Sequence, residues 1–277
     1  MASREEILTH RNFAHARDCH IAGLVDLFAG DRFVTRMMSD AAVISMRALV
    51  VGFHASYSRD DRSTWATPRN LRELIVERSL ASPRRMDDMI ARFRQARYVE
   101  VAPSPMDRRV RVFTPTERLL QHDHDHLAAY HRFLLELFPG EGYEWTIRGC
   151  RETQLAIRRT AFRRLPQAMA FMRHAPMMMF LARDAGYLAF LLLAHAQLEG
   201  RERDLSFSRM SSDLGVSRTH IRNLFEEAEA ADLVRLSPGK KRPAEITPQL
   251  WEAYDSFLAD VQADQHAIAR VAFGRAS

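Results

Sequence analysis

Three groupings in this 277-residue chain have the residue types and spacing to do chemistry. "HDHDH" at residues 122–126 sets imidazoles beside carboxylates, and in a helix His122 and His126 share a face at i and i+4, as metal ligands can. His124 points elsewhere, so the run reads as a polar or inter-helix face rather than a metal centre. Cys19 and Cys150 are too few for a disulfide framework and neither belongs to a C-x-x-C pair, which predicts buried thiols. The third grouping is cationic and occurs twice. Ser82 is followed by Arg84, Arg85 and Arg92, and Ser217 by Arg218, Thr219, His220 and Arg222. A serine in that position caps a helix start. Arginines on the first turns behind it have the geometry that reads guanine, because the guanidinium fork spans O6 and N7 in a major groove.

The elements that must hold these side chains follow from periodicity. After Ser217, Ile221, Leu224, Phe225 and Ala228 recur at three-and-four spacing and form one apolar stripe, leaving Arg218, Thr219, Arg222 and Asn223 outward. Upstream, "FSRMSSDLGV" predicts a shorter helix on Phe207, Met210 and Leu214, ended by Gly215 in the left-handed conformation. The pair is a helix-turn-helix at about 206–231. Shifted by 135 residues the pattern returns at about 68–97: Ser82 aligns with Ser217, Met86 with Ile221, Met89 with Leu224, and Leu80 stands where Gly215 would be. A short alternating hairpin follows each pair, at 98–113 and 233–246. In the first, Val99 and Val101 are expected to face Val110 and Val112, with Arg109 and Arg111 on the other side. The second holds Lys240, Lys241 and Arg242 at its tip. Both are expected to run into helices capped by Thr114-Pro115 and Thr247-Pro248.

Long amphipathic helices are expected around these motifs, at about 5–28, 40–57, 115–138, 150–173, 178–199 and 248–272. "FPGEGYE" (138–144) has the Pro and Gly of a boundary between halves 1–140 and 141–277. The reading is mainly α with two small β-wings: tandem winged helices related by a pseudo-twofold. The apolar run 187–198 is too short to span a bilayer and reads as a core helix, and "PMMMF" (176–180) as adaptable core packing. The first 13 residues mix charges without an apolar signal core, which predicts a cytoplasmic protein. A formal charge of +5 favours an anionic partner. No Gly-rich phosphate loop, nucleophile elbow or H-E-x-x-H occurs, so neither catalysis nor a cofactor is expected.

A unit of about 140 residues with long helices around a winged helix resembles one protomer of the MarR family of bacterial transcription regulators, and here the resemblance covers the chain twice. Its most specific residues are Asp107, Arg108 and Arg109 running into "VFTPTERLL", similar to the family's Asp-x-Arg wing; the second wing lacks the aspartate. The resemblance implies a covalent pseudo-dimer, acting as a monomer or pairing further, bound to double-stranded DNA in the nucleoid region, with room for a small-molecule effector. Recognition helices would carry Ser82, Arg84, Arg85, Arg92, Ser217, Arg218, Thr219, His220 and Arg222. The wings would carry Asp107, positioning its neighbouring arginine, with Arg108, Arg109, Arg111, Lys240, Lys241 and Arg242. Because the two sets differ, the expected operator has unlike half-sites. The alternatives are a tandem winged-helix protein-interaction module of the chromosome-organisation type and a plasmid replication initiator. Asp87, Asp88, Glu226, Glu227 and Glu229, on or near the recognition helices, favour the interaction module.

Overall fold

The computed structural model of the chain describes residues 2–29, 40–76, 80–164, 170–237 and 243–274. Among them are thirteen α-helices and two small antiparallel sheets. In chain order α1 (Arg4–Leu8), α2 (Phe13–Ala29), α3 (Ala41–Ser56), α4 (Pro68–Val76) and α5 (Pro83–Gln95) lead to a hairpin of β1 (Val99–Pro103) and β2 (Arg111–Pro115). Next come α6 (Glu117–Leu137), α7 (Tyr143–Ile147), α8 (Arg151–Arg163), α9 (Ala175–Leu181) and α10 (Gly186–Leu198). Helices α11 (Phe207–Leu214) and α12 (Arg218–Ala230) lead to a second hairpin, β3 (Val234–Leu236) with β4 (Pro243–Ile246), followed by α13 (Pro248–Ala272). No single helix among the described residues is long and apolar enough to cross a membrane.

The helices form where local chemistry favours them. Ser3, Ser82, Ser206 and Ser217 each accept a backbone N–H from the third residue on, closing the first turns of α1, α5, α11 and α12, each such cap contributing about 1 kcal/mol. Ile221, Leu224, Phe225 and Ala228, the expected stripe of α12, are buried, and of the matching positions on α5 Met86, Met89 and Phe93 are buried while Ile90 is half-buried.

Two compact units result, and neither is a continuous stretch of chain. Unit 1 comprises residues 1–40, 129–141 and 169–267; unit 2 comprises 41–128, 142–168 and 268–277. Within unit 1, α10 packs against α2 and carries α9, α11 and β4. Tyr187, Phe190, Tyr254 and Phe257 form an aromatic group there. Within unit 2, α3 packs against α8 and carries α4 and β2. Gly52 lies so close to Phe162 that an added methyl would sit 3.1 Å from the ring.

Six local expectations need correction. The run 5–28 is not one helix but α1 and α2, parted at residues 9–12, and the helix expected over 150–173 ends at Arg163. The run 178–199 is not one helix: α9 and α10 meet at 110°, with Ala185 left-handed at φ 55. Gly186 follows because any Cβ there would lie 2.3 Å from the Phe180 carbonyl oxygen. The first hairpin is shifted by one residue, pairing Val101 with Phe113 and Pro103 with Arg111. A one-residue slip exchanges the faces of a strand, so Arg111 lies on the Phe113 side, at its exposed far end, rather than opposite it. Phe113 is buried while Val112 is only half-buried, and burying the larger side chain decides the register.

The helix after that hairpin begins at Glu117, so Thr116, not Thr114, is its cap, while Thr114 and Pro115 belong to β2. Thr116 Oγ1 donates to the Arg97 carbonyl at 2.7 Å, as Thr247 Oγ1 donates to that of Asp232 at 2.8 Å. Between the paired helices, Leu80 is not a substitute for Gly215. Thr67 and Ser206 accept from the backbone of Asn70 and Arg209 as matching caps. The cap-to-cap spacing is therefore 15 residues in the first copy (67 to 82) and 11 in the second (206 to 217), so Leu80 does not hold the place at which Gly215 makes its turn at φ 68.

Candidate nucleic-acid interface

In unit 2, burying Met86, Met89 and Phe93 turns the opposite side of α5 to solvent. Ser82, Arg84, Asp87, Asp88, Arg92 and Arg94 are exposed and Arg85 is half-buried. Asp87 is engaged by Arg72 of α4 at 2.5 Å, which neutralises one of the two acids expected to repel a polyanion. Among the described residues no acidic side chain pairs with Arg84, Arg92 or Arg94.

The hairpin tip is built around Asp107. Its carboxylate accepts the backbone N–H of Arg109 at 3.1 Å and the guanidinium of Arg62 at 3.2 Å. Arg62 also lies over the ring of Trp65 at 5.3 Å, and Trp65 is buried with its indole N–H on the Ser58 carbonyl. Asp107 therefore orients the turn and holds Arg62, instead of gripping the side chain of Arg108 or Arg109. Those two, with Arg111, are exposed. Arg62, Arg69 and Arg94 are exposed cations that the sequence reading missed; their signal was basic residues on α5 and beside the first cap, outside the serine-led clusters.

In unit 1 the corresponding face is chemically different. Ser217, Arg218 and Thr219 at the start of α12 are exposed, and Arg222 is half-buried. The ring of His220 donates to the Asp184 carbonyl at 2.7 Å, which commits it to the fold. Arg222 lies 3.8 Å from Glu226, and Glu227 is paired with Arg183 at 2.5 Å. Glu229 accepts the backbone N–H of Leu236 at 2.9 Å, and Arg235 faces Glu245 across the hairpin at 3.1 Å. Lys240, Lys241 and Arg242 lie outside the described residues.

Geometry repeats between the copies even where side chains do not. Arg97 and Asp232, 135 residues apart, are both left-handed, at φ 55 and 57. The following N–H closes on the helix at 2.9 Å in both, Tyr98 to the Phe93 carbonyl and Leu233 to that of Ala228. Two frames thus set an exposed helix start beside a hairpin whose strands rest on an apolar core.

The other chemical groupings are absorbed into the fold. Asp123, at the centre of "HDHDH", is 0 % exposed; Arg158 donates to both its oxygens at 2.9 and 2.7 Å, Gln154 donates at 2.9 Å, and Arg47 lies 3.7 Å away. Burial opposes the charged carboxylate, yet these cations hold its pKa below the usual range. His122 Nδ1 shares a hydrogen bond of 2.6 Å with the Tyr98 hydroxyl, and His124 Nε2 donates to the Thr146 carbonyl at 2.7 Å. No group of three or more His, Cys, Asp or Glu among the described residues could hold a metal ion. Cys19 and Cys150 are free, but neither is buried: Cys19 is exposed on α2, and Cys150 is half-buried and precedes α8 as its cap. Hydrogen bonds from Thr153 lower the Cys150 thiol pKa, while partial desolvation by its neighbours on the protein surface, with the nearby Glu136 and Asp18 charges, raises that of Cys19. In "PMMMF", Met177 and Phe180 are core.

Compared with protein-family models, curated proteins and solved structures, the chain matches none.

Proposed function

We propose that this chain is a sequence-specific, double-stranded DNA-binding transcription regulator of MarR-like tandem winged-helix design, whose two recognition helices α5 and α12 read unlike half-sites. The observation that carries this reading is the repeated frame. Twice, a serine cap starts an amphipathic helix with exposed polar or cationic residues on its first turns, a left-handed residue ends it, and a hairpin follows. Phosphates would be met by the hairpin arginines and bases by the helix starts. Arg84 and Arg92 have the fork geometry for guanine, and Arg218 with Thr219 offers a different donor set. Nucleoid association follows from that activity.

Selection of binding sites from a random duplex pool tests this. The expected product is an enriched site with two dissimilar halves. A perfect inverted repeat overturns the unlike half-sites, and no enrichment overturns the regulator. A second reading, a protein-docking module, is favoured by Glu226, Glu227 and Glu229 along α12. It predicts no binding to non-specific duplex even at low salt, where a DNA-binding protein binds most tightly.

A further inference from the structure

Charge is distributed between the two units in a way the linear sequence hides. Residues 1–140 hold 21 Arg and Lys against 18 Asp and Glu, and residues 141–277 hold 19 against 17, formal charges of +3 and +2. Counted over the compact units, unit 2 holds 23 Arg against 13 acids, a formal +10, and unit 1 holds 17 Arg and Lys against 22 acids, a formal −5. Both partitions account for all 40 basic and 35 acidic residues.

The local geometry points the same way. On α5 and its hairpin, Arg84, Arg92, Arg94, Arg108, Arg109 and Arg111 are exposed, and among the described residues no carboxylate pairs with them. On α12 and its hairpin, Arg222 and Arg235 face Glu226 and Glu245, and His220 is held by the Asp184 carbonyl.

We infer that the duplex-binding surface is unit 2, formed by the start of α5 and the β1–β2 hairpin, and that unit 1 reads its half-site weakly. This rests on the DNA-binding reading above. Electrostatic affinity for a duplex comes from cations that displace condensed counterions from phosphates. A side chain already paired with a carboxylate displaces none without first breaking that pair. A unit of net negative charge also repels the backbone it approaches. The two half-sites therefore differ in strength as well as in sequence: one anchors the chain, and the other modulates it.

The test uses the full chain and a random-sequence duplex, with affinity measured by fluorescence anisotropy over a salt series. Replacing Arg84, Arg92, Arg108 and Arg109 with Ala is expected to weaken binding on the order of 100-fold. It should also lower the salt slope by about 0.9 for each phosphate that is no longer neutralised. Replacing Arg222 and Arg235, each of which already faces a glutamate, with Ala is expected to change affinity less than about two-fold and leave the slope unaltered. Glu226→Gln with Glu227→Gln is expected to tighten binding, a gain that misfolding would not produce. Equal losses from the two arginine sets, or no gain from the glutamate variant, overturn the inference while leaving DNA binding intact. Absence of binding by the unaltered chain overturns both.

Discussion

Asp123 shows how much a single side chain can decide. It lies on the apolar stripe of α6 with Leu119, Leu120 and Leu127, fully buried, and is tolerated because Arg158 takes both of its oxygens. Removing one partner of a buried pair leaves the other charge uncompensated, which costs about 3–5 kcal/mol. Asp123→Asn should therefore lower the urea midpoint by that equivalent; a loss below about 1 kcal/mol would mean that the pair is dispensable. Two buried histidines, His20 and His122, are among the pH-sensitive residues. Burial first, and for His122 also the Arg47 charge, brings both down from 6.5 to about 4. Unfolded, each takes a proton near 6.5; folded, it resists until about 4. Their contribution to stability is therefore complete above pH 6.5 and is lost as the pH falls towards 4. Denaturation midpoints measured across that window should fall, and His122→Gln should flatten part of the decline. None of this was legible beforehand, because "HDHDH" shows its donors while the partners Arg158 and Arg47 lie far away in sequence.

At the scale of elements, the two frames share a backbone strain. Arg97 and Asp232 occupy the left-handed region, where a side chain costs roughly 1–2 kcal/mol that glycine avoids. Arg97→Gly and Asp232→Gly are each expected to raise the thermal midpoint, by the equivalent of up to about 1 kcal/mol once glycine's extra unfolded-state entropy is offset. A fall at either position would mean that its side chain has a stabilising contact that outweighs the strain. The helix starts and buried stripes of α5 and α12 could be read from sequence because capping and three-and-four periodicity are local. The hairpin register could not. Val110 and Val112 offer as good an alternation as Phe113, and only the core behind β2 prefers the phenyl ring. The break between α9 and α10 escaped for a similar reason: an unbroken apolar run carries no sign of a 110° corner.

At the scale of the molecule, each unit draws on both halves of the chain, which has a consequence for truncation. Residues 141–277 alone lack α2, against which α10 packs in unit 1, and residues 1–140 alone lack α8, against which α3 packs in unit 2. Large apolar faces would be left open, so neither fragment should unfold cooperatively or keep dispersed side-chain NMR signals, whereas the two co-expressed should recover both properties. Cooperative unfolding of either fragment alone would reject this. By itself the sequence determined a mainly helical chain with two small hairpins and two repeated helix pairs, since each depends on neighbours a few residues apart. Tertiary structure alone decided which segments share a core, and thereby drew together a basic set and an acidic set from halves of nearly equal charge. Charges summed over space depend on contacts between distant residues, and no short-range pattern records those contacts.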